Sequence, residues 1–285
     1  MRIAISAEST VDLTKELLNE YDIHTVPFTV LLGDQTRLDG EIGVHEIVDY
    51  VNKTKILPKT SAVNGYQFKE HFDSLLKDHD AVIHFSLSSE ISSAYQNAKE
   101  TAKDYDNVYV IDTRTLSTGI ALLAIYASKL AKKGLEPKEI VEKCEKRIPN
   151  LQVSFVLARL DYLYKGGRCS ALQLFGANLL KLRVQILLKD GKMSPAKKYR
   201  GNMDACIRNY VNDTLEAFNN PDLSQVFITA TTPTAEQNAF VTEILKEHGF
   251  KNVNCTTAGA TITSHCGEDC LGILYINDGG TDDFE

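Results

Sequence analysis

The sequence has no long hydrophobic run and no excess of positive charge. Its longest apolar run, from Ile120 to Ala127, is much shorter than the ~20 residues that span a bilayer. The net charge of -7 argues against a nucleic-acid-binding protein, because such proteins usually carry a basic face. We therefore expect neither a membrane-spanning helix nor a nucleic-acid partner.

The sequence also has too few cysteines for a disulfide-bonded secreted protein. Its 6 cysteines are scattered through 285 residues, which indicates reduced thiols rather than a disulfide framework. The strand-like segment 1–6 is too short and too polar for a signal peptide. These features predict a soluble protein with a cytoplasmic location.

Common catalytic signatures are missing as well. The sequence has no Gly-x-Gly-x-x-Gly, no phosphate-binding loop ending in Gly-Lys-Ser/Thr and no Gly-x-Ser-x-Gly. Their absence counts against a dehydrogenase, a nucleotide hydrolase and an α/β-hydrolase.

Strands and helices alternate through the first half of the sequence. Apolar, β-branched segments predict strands at 2–6, 23–32, 81–85, 108–111 and 152–158. Between them, caps and apolar periodicity predict helices from residue 9 or 10 to about 20, from residue 61 or 64 to about 76, and at about 44–52, 92–102, 115–132 and 137–147. This alternation is typical of βαβ units with a parallel sheet.

The second half of the sequence is also mixed. We predict helices at 170–180, 203–218 and 234–247, a hairpin turning at Asp190-Gly191, and strands at 225–230, 252–256 and 271–276. The length suits about two domains. The predicted fold class is therefore α/β, with a mainly parallel N-terminal domain over residues 1–160 and a mixed C-terminal domain over residues 161–285.

Hydroxyl side chains cluster before three predicted helices, at residues 9–10, 60–61 and 88–93. Helix N-termini present unpaired N–H groups and a partial positive charge, and hydroxyls there can donate to an anion. In an open parallel sheet such segments share the carboxyl edge, where ligands bind. The clusters predict a carboxylate or phosphate site, or else three ordinary helix caps.

Two further segments carry candidate anion ligands. Paired glycines at 166–167 permit a tight turn, so Arg168 either faces a cleft or is a basic residue at a helix C-terminus. His265 is predicted in a turn at a sheet edge, where it either donates to an anion or is a structural residue. Cys266 and Cys270 could join His265 at a zinc site, but only with distant His248 or Cys255, so we expect no metal.

Together these motifs resemble the DegV family, whose better-known members are the fatty-acid-binding subunits of bacterial fatty acid kinase. The family's Asp-Ser-Thr-x-Asp-Leu opening is similar to residues 8–13, and its Pro-x-Thr-Ser loop to residues 58–61. Its serine-rich segment is similar to residues 88–98, its Lys-Gly-Gly-Arg-Ile-Ser motif to residues 165–170, and its closing His-x-Gly to residues 265–267. The resemblance spans nearly the whole chain.

The resemblance implies a non-catalytic lipid-binding protein that works without a cofactor. The partners implied are a long-chain fatty acid and a fatty acid kinase catalytic subunit, with transient membrane contact. The protein would present the carboxylate to the kinase for acyl phosphate formation, and the acyl chain would occupy an apolar tunnel in the C-terminal domain. The implied ligand-binding residues are Thr60, Ser61, Ser92, Ser93, Arg168 and His265.

The sequence departs from the family pattern at four places, which we expect around the head-group site and in the second domain. Glu8 replaces aspartate, and Ser93-Ala94 replaces Gly-Thr. Arg183-Val184 replaces Lys-Pro, and Glu268-Asp269 replaces Pro-Gly. Two alternative functions remain open at this point: an acyl or phosphate ester transferase or hydrolase using Ser92 and His265, and a regulatory protein that binds another anion or lipid.

Overall fold

The computed structural model describes residues 1–173 and 182–284 and shows a mixed α/β fold. Its strands are β1 Ile3–Glu8, β2 Ile23–Val26, β3 Thr29–Leu32, β4 Gln35–Leu38, β5 Lys59–Ser61, β6 Ala81–Ser86, β7 Val108–Asp112, β8 Leu151–Leu157, β9 Arg183–Lys189, β10 Lys192–Tyr199, β11 Val226–Ala230, β12 Val253–Thr257 and β13 Cys270–Ile276. Its helices are α1 Lys15–Tyr21, α2 Val44–Thr54, α3 Gly65–Leu75, α4 Ala94–Ala102, α5 Thr118–Lys132, α6 Pro137–Arg147, α7 Asp161–Lys165, α8 Met203–Ala217, α9 Ala235–Glu247 and α10 Ala260–Cys266.

The first sheet is parallel, as predicted. Its strand order is β2-β1-β6-β7, and each neighbouring pair runs in the same direction. The segments that follow β2 and β6 therefore emerge at the same carboxyl edge. Phe28 and the serine-rich segment 87–93 lie at that edge.

Helix α5 packs against both large sheets. It contacts β1 and β6 of the first sheet and β8 and β13 of the second. The sequence predicted one apolar stripe on this helix, but every residue from Thr118 to Ser128 is buried. A helix buried on all sides is the expected consequence of a position between two sheets.

The second sheet has the order β10-β9-β8-β13-β11-β12 and is antiparallel except for the β11–β12 pair. Strand β8 precedes residue 160, yet it pairs with β9 and β13 of this sheet. By sheet membership, residues 151–157 belong with the C-terminal half. The division at residue 160 stays a prediction.

A small third sheet has the order β4-β3-β5, and two predictions for its residues were wrong. The single strand predicted over 23–32 is two strands in different sheets, because Pro27 follows β2 and has no N–H for the parallel ladder. Thr60 and Ser61, predicted in a loop, lie in β5 and pair with β3.

Two predicted helices also differ from the structure. The helix expected from Ser9 begins only at Lys15, where the Thr14 hydroxyl accepts from the Leu17 amide, and residues 9–11 form a 3-10 turn instead. Most of the helix predicted at 170–180 lies outside the described residues. In the part of the chain that the structure describes, no helix is both long and apolar enough to cross a membrane.

Candidate functional site

A cavity of about 540 Å³ lies where the carboxyl edge of the first sheet meets β5 and α10. Its volume falls within the range of small-molecule pockets. Apolar side chains of Phe28, Leu87, Leu116, Met193 and Ile262 form much of the wall. All the residues predicted to bind a ligand also line it, namely Thr60, Ser61, Ser92, Ser93, Arg168 and His265.

His265 lies in the last turn of α10, so the prediction of a turn at a sheet edge was wrong. Its Nε2 atom is 2.8 Å from Thr60 Oγ1, and its Nδ1 atom is buried without a hydrogen-bond partner. Burial, and then the charge of Arg168, lower the pKa of His265 to about 4. The imidazole is therefore neutral at pH 7 and contributes hydrogen bonding without a fixed charge.

Arg168 supplies the positive charge of the cavity. It is half-buried, and one of its terminal nitrogens donates to the Gly166 carbonyl over 2.7 Å. Burial lowers its pKa, and none of the described carboxylates forms an ion pair with it. A half-buried guanidinium stays charged and is stabilised by an anion.

Both glycines before Arg168 are required, for different reasons. Gly167 has a φ of +74°, in the left-handed region that favours glycine. A Cβ on Gly166 would lie 2.7 Å from His265 Nδ1, so only glycine allows the imidazole to approach the chain there. Gly166 also ends α7. Arg168 therefore both follows the C-terminus of a helix and faces the cavity, so the two interpretations of this segment are compatible.

The hydroxyl clusters divide into two groups. Thr60 and Ser61 on β5, and Ser92 and Ser93 before α4, line the cavity. The cluster at 9–10 does not, because the Ser9 hydroxyl donates to Asp39 and accepts from the Phe28 amide. The interpretation as an anion site therefore applies to the second and third clusters and not to the first.

Two aspartates that the sequence analysis missed hold the N-terminus of α10. Asp12 accepts from the Gly259 amide over 2.7 Å, and Asp39 accepts from the Ala260 and Thr261 amides over 2.8 and 3.3 Å. Acceptor oxygens at this end of a helix satisfy its free N–H groups, and a charged carboxylate there also interacts favourably with the helix dipole. They fix the helix that carries His265.

Asp12 is also buried, and its environment is unusual for a carboxylate. Burial raises its pKa to about 8, although hydrogen bonds from Ser117 and Gly259 act in the opposite direction. At neutral pH the folded protein therefore keeps a proton on Asp12. No signal in the sequence pointed to Asp39, and Asp12 was part of the motif at residues 8–13 without an assigned role.

Of the four departures from the family pattern, the one at Ser93 lies at the cavity. Glu8 is fully buried in the first sheet and accepts from Ser86, the Leu87 amide and His84. It does not line the cavity itself, and it supports the Leu87 segment, which does.

The remaining departures lie away from the cavity. Arg183 begins β9, and its guanidinium donates to the Ala158 carbonyl. The Oε1 atom of Glu268 lies 3.6 Å from a guanidinium nitrogen of Arg159. Neither residue lines the cavity. These two departures change contacts within the second half of the fold.

A narrow apolar crevice lies behind the cavity. It shares Leu116, Ile262 and Cys266 with the cavity wall and continues to Phe155 and Leu274 of the second sheet. Its volume of about 20 Å³ is room for about one water molecule. An acyl chain could enter only if the lining side chains separate, and the tunnel in the C-terminal half stays a prediction.

Comparisons with known proteins agree with this fold over its whole length. A "Fatty acid-binding protein" of Thermotoga maritima is 30% identical over 286 residues, covering 95% of this chain and 96% of that protein. The solved structure of a fatty-acid-binding DegV family protein from Thermus thermophilus has a TM-score of 0.87 at 25% identity, covering 97% and 100% of the two chains. DegV of Bacillus subtilis, described as a fatty acid binding protein, has a TM-score of 0.84 at 25% identity, covering 98% and 100%.

These likenesses confirm the predicted α/β fold class. A family model described as "Uncharacterised protein, DegV family" matches residues 2–278. The chain therefore belongs to the DegV family.

Proposed function

We propose that this protein binds a long-chain fatty acid and presents its carboxylate to a fatty acid kinase catalytic subunit for acyl phosphate formation. The observation that carries the proposal is Arg168, a half-buried cation without a described carboxylate partner in a cavity with apolar walls. The fatty-acid-binding relatives and structures support the choice of ligand.

The head group suits the polar part of the cavity. A buried carboxylate needs hydrogen bonds and a compensating charge, because an unpaired one costs several kcal/mol. Arg168 supplies the charge, while Thr60, Ser92 and the neutral imidazole of His265 supply hydrogen-bonding groups. A phosphate dianion would be less well compensated by one arginine, so this set favours a monoanion.

The tail suits the apolar part. Burial of a methylene contributes about 0.8 kcal/mol, so eight methylenes supply roughly 6 kcal/mol. Leu116 and Ile262 line both the cavity and the crevice, and the tail would extend past them toward Phe155. Separation of these side chains opposes part of that gain.

The polar end of the cavity is open to a partner. Ser61 and Ser93 line it and are exposed, so a carboxylate beside them stays accessible from outside. A phosphoryl group can then reach the carboxylate without entering the fold. The proposal places the protein in the cytoplasm, where a kinase has ATP, and all six cysteines are free thiols, which agrees with a reducing compartment.

No observation favours the alternative of an enzyme that uses Ser92 and His265. A serine nucleophile needs a hydrogen bond to its base. Here Ser92 Oγ accepts from the Ala94 amide, whereas His265 Nε2 contacts Thr60. We therefore assign no catalytic residues to this chain.

The proposal is tested by adding the protein to oleate, ATP and a fatty acid kinase catalytic subunit. We expect acyl phosphate, trapped with hydroxylamine, when all components are present, and none from the protein with ATP alone. His265→Ala should lower the yield, whereas His248→Ala, at an exposed position outside the cavity, should not. Equal yields with and without the protein would refute the presenting role.

A further inference from the structure

Three side chains with metal-binding groups meet at the amino edge of the first sheet, opposite to the ligand cavity. Asp22 follows the end of α1, His24 lies in β2, and His79 precedes β6. One possible ligand atom of each side chain lies within 4.8 Å of those of the other two. Among residues 1–173 and 182–284, these three side chains form the one such group whose members are close enough to share an ion.

His79 is already oriented for coordination. Its Nδ1 atom lies 2.9 Å from the carbonyl oxygen of Leu75. A carbonyl oxygen only accepts, so Nδ1 carries the hydrogen and Nε2 carries the lone pair of the neutral ring. Hydrogen bonds of this kind to a backbone carbonyl typically fix the ring of a metal-binding histidine.

His24 presents a ring nitrogen with no hydrogen-bond partner. Its Nε2 atom is buried and unpaired, and it lies 3.5 Å from Asp22 Oδ1, beyond a strong hydrogen bond. The ring centroids of His24 and His79 are 5.4 Å apart, and the two ring planes make an angle of 72°.

We propose that Asp22, His24 and His79 form a binding site for one divalent transition-metal ion of the zinc class. Two imidazole nitrogens and one carboxylate oxygen are a donor set that zinc accepts, with water as a fourth ligand. Bonds of about 2.1 Å place tetrahedral ligands about 3.4 Å apart. The Asp22 side chain is 70% exposed and can rotate to close the remaining distance.

The site would connect the segments that enter β2 and β6, two strands separated by β1 in the sheet. Asp22 and His24 belong to the α1–β2 junction, and His79 belongs to the α3–β6 junction. Both junctions lie at the amino ends of their strands, whereas the cavity lies beyond the carboxyl ends. The ion would therefore stabilise the sheet without touching the fatty acid, and the proposal does not depend on the function proposed above.

Calorimetric titration of the full-length protein with ZnCl2 tests the site. Cys255 is an exposed free thiol, so the measurement uses a Cys255→Ser background. We expect one zinc ion per chain. His24→Ala and His79→Ala should each weaken zinc binding by more than about 100-fold. Substitution of a residue that only hydrogen-bonds to a metal ligand already lowers metal affinity by about 10- to 100-fold, and these two changes remove a ligand itself.

The matched control is His248→Ala, which removes an exposed histidine outside the cluster and should leave zinc affinity unchanged. Asp22→Asn changes an exposed ligand in a conformation that asparagine also adopts, so folding is not at risk. Weaker zinc binding by Asp22→Asn supports the site. No zinc binding by the parent protein, or equal affinities in the His24→Ala, His79→Ala, Asp22→Asn and His248→Ala proteins, would overturn it.

Discussion

Replacing Arg168 with glutamine weakens oleate binding by about 10- to 150-fold. The change removes the positive charge that faces the cavity, and a hydrogen bond to a charged group contributes about 1.5–3 kcal/mol. Glutamine keeps much of the aliphatic stem and a polar end, so the apolar contacts of the tail remain. The measurement is calorimetric titration of the lipid-free protein with oleate.

Two controls separate charge from packing in the Arg168 experiment. Oleyl alcohol has the same tail and no carboxylate, so its affinity should be nearly the same for the parent and the Arg168→Gln protein. Arg200→Gln removes an exposed arginine outside the cavity and should not change oleate binding. Equal oleate affinities in the parent and Arg168→Gln proteins would show that the cation does not hold the head group.

Replacing Asp39 with alanine lowers the free energy of unfolding by about 2–4 kcal/mol. The change removes the acceptor for the Ala260 and Thr261 amides and for the Ser9 hydroxyl. Loss of a cap costs about 0.5–2 kcal/mol, and each buried donor left unpaired costs about 1–3 kcal/mol. Since α10 also carries His265, oleate binding should weaken at temperatures where the variant is still folded. Urea unfolding gives the free energy.

Two matched variants test the explanation for Asp39. Asp34→Ala removes an exposed aspartate from the same region and should leave stability nearly unchanged. Asp12→Asn resembles the protonated form of Asp12 and keeps an oxygen for the Gly259 amide, so it should be far milder than Asp39→Ala. An Asp39→Ala protein as stable as the parent would contradict the role of this carboxylate.

The free energy of unfolding of the parent protein, relative to that of Asp12→Asn, should fall as the pH rises. The folded-state pKa of Asp12, about 8, lies above the ordinary value of 3.8, so the proton is held by the folded protein and released on unfolding. Its stabilising contribution is complete below pH 3.8 and is lost as the pH rises through about 8. In that window the parent should lose up to about 1.4 kcal/mol per pH unit relative to Asp12→Asn.

The parallel sheet and the cavity residues could be predicted because their signals are local. Strands with hydroxyl residues at their carboxyl ends indicate an anion site at one edge, and Ser92, which follows β6, does reach the cavity. Thr60 reaches it from β5 of the small antiparallel sheet, and it was expected there from the family resemblance. The paired glycines before Arg168 likewise indicated a tight turn, and Gly167 does have a positive φ there. In each case a short segment contained the information.

The support of α10 could not be predicted because it depends on contacts between distant parts of the chain. The Asp12–Gly259 and Asp39–Ala260 hydrogen bonds join residues 247 and 221 positions apart. The break at Pro27 was a local signal that the run of β-branched residues obscured, and β2 and β3 entered different sheets there. The burial of α5 on all sides follows from its place between two sheets, and the uninterrupted apolar run from Ile120 to Ala127 was a local signal for it that the prediction of a single stripe did not use.

The proposed function requires that the cavity hold a long-chain fatty acid by its carboxylate. Organic extraction of the protein, purified without added lipid or detergent, followed by mass spectrometry, shows whether it does. We expect long-chain fatty acids at up to one per chain, and markedly less from the Arg168→Gln protein purified in parallel. Extracts that hold no fatty acid, from a protein that also takes up none when oleate is added, would contradict it.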